Sequence, residues 1–177
     1  MSLSPQMDIL YLQSVGHVLG IFTRNSEPAQ METDSSAFVG AGLNVRGLIP
    51  DGNLVIPPAL IGVFRANRVW DQLLNPLSLC VSSPPALPSL MSFPGTKPSV
   101  QVAADVLKIT LATAAVAQIL VLALDTAGGT PAQFSTKCAG SSPIVEVTMT
   151  GLVPADTYYA FVFVETHPMA LHKFVAT

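Results

Sequence analysis

His17, His167 and His172 are the side chains of this sequence best suited to hold a metal or move a proton. His167 and His172 stand five apart, on opposite faces of a strand and about 140° apart around a helix. Neither arrangement turns both imidazoles toward one ion, and no Cys or carboxylate cluster accompanies them at ligand spacing. His17 falls in an expected hairpin turn. Glu32 and Asp34, in the stretch METDSS, offer oxygens to a cation, but calcium needs six or more converging ligands. That stretch reads as a solvated loop. Cys80 and Cys138 lie 58 residues apart. The reading is two thiols, with a disulfide left open for an oxidising compartment. No G-x-S-x-G, phosphate-binding or dinucleotide-binding motif occurs. The two glycines of 125–130 precede Pro131 rather than a helix, so they mark a turn. The expectation is therefore no catalytic residue, no metal, no cofactor and no small-molecule substrate: the chain reads as a protein that is not an enzyme.

Composition points to partners instead. Half of the 177 residues are hydrophobic and 11% are charged, against roughly 25% in an ordinary soluble domain. Eight basic and 11 acidic side chains are few for a monomer that must cover its own surface with charge. Either a membrane or other protein subunits would account for this. The best spanning candidate, 109–124, has 16 residues and includes Thr110, Thr113 and Gln118, whereas a spanning helix needs about 20 mostly apolar residues. Its small middle suits a turn between two strands, so burial among protein subunits is the better explanation. The basic residues form no stripe for a phosphate backbone, which argues against nucleic acid. No signal-peptide pattern is visible at the start, so synthesis in the cytoplasm and assembly into a particle is the expected course.

The elements that would position these residues read as strands throughout. In the first half, 7–15 and 18–24 flank Gly16-His17 as a hairpin. A loop is expected at 25–36, then strands at 38–48 and 54–66 around a Pro50-Asp51-Gly52-Asn53 turn. Pro57-Pro58 breaks the second of these or places it at an edge. Residues 69–74 suit one helical turn, and 77–81 a last strand. The phrases HVLGIFTRN (17–25) and ALIGVFRAN (59–67) are alike and suggest two equivalent strands. Prolines 84, 85, 88, 94 and 98 exclude helix and central strand from the following stretch. The expected organisation is an N-terminal β-rich domain over 1–81, a Pro/Ser-rich linker over 82–99, and a second β domain over 100–177.

That second domain divides into seven short strands, near 100–104, 106–112, 118–125, 132–138, 144–150, 157–165 and 171–176. Seven strands about 10 residues apart describe an immunoglobulin-like sandwich. Within it, VTMTGLVPADTYYAFV (147–162) alternates apolar residues into a Gly-Leu-Val-Pro corner and places Tyr158 four residues after Pro154. This run resembles the late strands of a fibronectin type III domain. The resemblance implies that Leu152 plugs the end of the sandwich while the Tyr158 hydroxyl bonds back to the backbone and closes the corner. The family's early core Trp is absent, so Leu107, Ile109 and Leu111 would fill its space. The resemblance implies binding or spacing roles.

The strand after the corner is apolar on both faces. With Tyr158, Ala160, Val162 and Val164 inward, Tyr159, Phe161 and Phe163 face outward, where a solvated strand carries Thr, Lys or Glu. Such a row is a docking patch for another subunit or a face covered by the N-terminal domain; 118–124 has the same two-sided character. The functional expectation is a structural subunit of a larger homo- or hetero-oligomeric assembly: a virion, a phage-tail-like particle or an extracellular fibre. The alternative is a protein- or glycan-binding module or adhesin that presents sandwich loops.

Overall fold

Alternating and two-sided apolar runs separated by Gly and Pro produce an all-β chain. The computed structural model describes residues 6–24, 39–49, 52–67, 74–82 and 89–177. The loop expected at 25–36, with Glu32 and Asp34, lies outside the described residues, as do Pro50-Asp51 and most of the helical turn expected at 69–74. The chain divides into two compact units, 1–43 with 56–93, and 44–55 with 94–177.

In the first unit β1 (Gln6–Leu12) is the centre of a three-stranded antiparallel sheet, between β2 (Val18–Arg24) and β5 (Ile61–Asn67). Two further strands, β3 (Leu43–Ile49) and β4 (Gly52–Ile56), precede β5 and pair with each other. Pro57-Pro58 ends β4, and a single 3-10 turn at Pro58–Leu60 leads into β5. This agrees with the rule that proline removes a ladder donor. The 13–17 turn joins β1 to β2, with Gly16 at φ +72°.

The like phrases of 17–25 and 59–67 do flank one strand, but they are not equivalent. Phe22 pairs with Asp8 and Phe64 with Ile9, a one-residue offset that sends the two rings to opposite faces. Phe64 lies with Met7, Ile9 and Val18 against Leu79 and Val81, and Phe22 is 43% exposed.

Leu79 and Val81 belong to β6 (Leu79–Ser82), which pairs with β7 (Ser89–Ser92). β7 corrects the linker expected over 82–99. The proline-free window 89–93 pairs along one side only, as an edge strand can even in a proline-rich stretch. The boundary between units falls after Phe93, and residues 44–55 belong with the second unit rather than the first.

The second unit contains β8 (Ser99–Ala103), β9 (Val106–Thr110), β10 (Val116–Asp125), β11 (Ala132–Ala139), β12 (Ile144–Thr148), β13 (Thr157–Val164) and β14 (Ala170–Val175). Each lies within two residues of its expected bounds. They form a three-stranded sheet, β12-β9-β8, and a four-stranded sheet, β11-β10-β13-β14. One apolar core draws Leu107, Ile109 and Val147 from the first sheet and Ile119, Val121, Val162 and Phe174 from the second. The 109–124 stretch weighed above as a membrane span is the end of β9, a turn and β10. Among the described residues no helix is long and apolar enough to cross a membrane.

Candidate functional site: the corner and the outer face of the four-stranded sheet

Gly151, Leu152 and Pro154 turn the chain between β12 and β13. Gly151 has φ +79° and Ala155 φ +68°, a reversal that a Gly accepts freely and an Ala only under other constraints. Those constraints are visible. The Ala155 amide donates to the Ala176 carbonyl at 2.9 Å, and the Ala176 amide to the Asp156 carbonyl at 2.9 Å. The corner is thus tied to the residues after β14. Leu152 packs against the sandwich core and Pro154 is exposed. Tyr158 is buried, stacks on Phe174 with ring centroids 5.8 Å apart, and its hydroxyl accepts the Val153 amide at 3.1 Å. Closing the corner in this way satisfies one backbone donor that would otherwise need water. Leu107, Ile109 and Leu111 are all buried in the core.

The outer face follows from register. Leu120 opposes Phe163, Leu122 opposes Phe161, and Leu124 opposes Tyr159 across β10 and β13. On the far side of β13, Phe161 meets Leu171 and Tyr159 meets Lys173, whose ammonium lies 5.4 Å from the Tyr159 ring centre. Toward the other edge, Leu122 and Leu120 oppose Gln133 and Ser135 of β11. The face is therefore an apolar centre with one polar border and one cation–π pair. Phe161 and Phe163 are 0% and 3% exposed in the single chain, and Leu120, Leu122 and Leu124 are equally buried; Tyr159 is half-buried.

The polar candidates do not converge. His17 is buried against the Phe93 ring, 4.7 Å between centroids. His167 is buried in the turn after β13, where Nδ1 donates to the Glu165 carbonyl at 3.0 Å. His172 sits in β14 opposite Ala160. Cys80 and Cys138 are buried thiols in different units. Among the described residues no group of three or more His, Cys, Asp or Glu could hold a metal ion.

Sequence reasoning missed one buried charge pair. Arg65 Nε donates to Asp8 Oδ1 at 2.8 Å, with Asp8 2% exposed. The two are direct partners in the β1–β5 ladder. An aspartate inside the apolar run MDIL was the available signal. A charge in that position needs a partner, and a paired carboxylate between two strands has a structural role.

Comparison with protein families finds no family model that matches the chain, and no curated protein matches it.

Proposed function

We propose that this chain is a non-enzymatic structural subunit that joins other protein subunits in a particle or filament through apolar β surfaces. The observation that carries the reading is the chemistry of the sandwich's exposed strand ends. At one end Val116 and Ile144 are 64% and 42% exposed; at the other Val153 and Val175 are 55% and 56% exposed. Each pair is local. A side chain on Gly140 would touch Val116 Cγ2, and the nearby Pro143 carbonyl accepts the Leu111 amide at 2.8 Å. Val153 and Val175 flank the hydrogen bonds that tie the corner to Ala176. A solvated monomer places charge at such positions, and this chain has little charge to place. Association would remove these side chains from water at about 25 cal/mol per Å² of apolar area.

The second unit is best understood as a fibronectin type III-like sandwich. Support comes from the three-plus-four sheet order, the buried Leu107, Ile109 and Leu111, and the Tyr158 hydroxyl on the Val153 amide. In this reading the sandwich is a rigid spacer that presents its two ends to neighbouring subunits.

Replacing Val116 and Ile144 by Lys tests the proposal without touching the core, since exposed substitutions change stability by about ±0.5 kcal/mol. Native mass spectrometry is expected to show assemblies of the parent chain and smaller species for the variant. A parent chain that flies only as the 18.6 kDa monomer contradicts the proposal and favours the alternative, a loop-presenting binding module.

A further inference from the structure

The charges of the sandwich are sorted by end. Between 94 and 177, Lys108 and Glu146 are direct partners in the β9–β12 ladder and offset one another in mid-sheet. The others lie toward the two ends. At the Val116–Ile144 end, Lys97 is exposed two residues before β8, which opens opposite Thr110, the partner of Ile144. Lys137 pairs with Gln118, whose amide donates to Glu165 Oε2 at 3.2 Å. Lys97 thus leaves that end with an excess of positive charge. Asp105, Asp125 and Asp156 stand at the Val153–Val175 end. The Asp105 carboxylate accepts the Thr177 amide at 3.0 Å, the Asp125 carboxylate accepts the Ala127 amide at 2.8 Å, and the Asp156 carbonyl accepts the Ala176 amide at 2.9 Å. Lys173, two residues inside Val175, lies over the Tyr159 ring. Three carboxylates against one ammonium leave this end negative.

We propose that copies of this chain associate head to tail, the Val116–Ile144 end of one sandwich docking on the Val153–Val175 end of the next. The proposal rests on the self-association reading above and names its partner, the opposite end of a second copy. Each end brings an exposed β-branched pair to the contact, and all four side chains are exposed in the single chain. The charges around those pairs are of opposite sign, so unlike ends attract across the contact. Two Val153–Val175 ends face to face would set one group of carboxylates against another, and like-charge juxtaposition suppresses such a pairing. The ends also point apart. β9 runs from Val106, opposite Thr148, to Thr110, opposite Ile144, so the two ends are the opposite limits of one set of strands. A contact between unlike ends therefore leaves one free end on each side, where further copies add. Heterologous interfaces of this kind propagate into filaments when their rotation does not close a ring.

The test places one new thiol at each end. Ile144→Cys and Val153→Cys are exposed substitutions, which change stability little, and the native Cys80 and Cys138 are buried. The two variants are mixed in equal amounts while dilute, concentrated, treated with a short bis-maleimide and digested, and the cross-links are read by mass. Links joining position 144 to position 153 are expected, with 144–144 and 153–153 links at background. Either variant treated alone should give almost no cross-linked dimer. Like pairs alone, or a statistical mixture of like and unlike pairs, would overturn the head-to-tail contact. Absence of all three links, in a chain whose mass by light scattering exceeds 18.6 kDa, would discard the ends as the interface and leave self-association in place. A mass that stays at 18.6 kDa would remove the self-association reading and this contact with it.

Discussion

Asp8, Tyr158 and Ala104 show three ways in which single residues fix this fold. Asp8 is buried in β1 and held by Arg65; breaking a buried pair by removing one partner is strongly destabilising. Arg65→Ala is expected to lower the unfolding free energy by about 3 kcal/mol, read from urea denaturation. Tyr158→Phe removes one hydrogen bond and keeps the ring stack, so a loss of about 1 kcal/mol is expected in the same assay. Ala104 and Asp105 form the two-residue β8–β9 turn, both with positive φ, the conformation for which Asn-Gly is preferred. Asp105 is retained by a second role, accepting the Thr177 amide at 3.0 Å. Ala104 has no such role in view, and Ala104→Gly should raise stability by about 1 kcal/mol. Phe161 is fully buried, so Phe161→Ala should cost about 4 kcal/mol and unfold the chain before it alters any assembly.

At the scale of elements, the strands of the second unit were legible from two patterns: β9 and β11 alternate along their length, whereas β10 is apolar on both faces. β11 alternates half-buried Phe134 and Thr136 with exposed Ser135 and Lys137, whereas β10 is buried on both faces from Ile119 to Leu124. Proline-rich composition hid β7, since proline bars central strands and leaves edges open. The likeness of the 17–25 and 59–67 phrases was misleading because pairing register, set by a shift at Leu10/Tyr11 and by the turn, is not written in either phrase alone. The β1–β2 turn gives the sharpest prediction at this scale. A Cβ on Gly16 would lie 2.5 Å from the Val81 carbonyl oxygen, at a φ that side chains avoid. The same backbone accepts the Val81 amide at 2.7 Å. Gly16→Ala should therefore disrupt both the turn and its bond to β6, lowering the thermal midpoint by several degrees as a loss of about 2 kcal/mol requires.

For the whole molecule, the sequence pattern identified two-sided apolar strands but could not say what covers them. A residue facing another subunit and one facing a distant part of its own chain have the same composition. What stays exposed is charge-poor, with β-branched residues at both ends of the sandwich. Light scattering across a wide concentration range measures self-association directly. A molar mass at a multiple of 18.6 kDa, or rising toward one with concentration, is expected. A mass that stays at 18.6 kDa up to the solubility limit would contradict it.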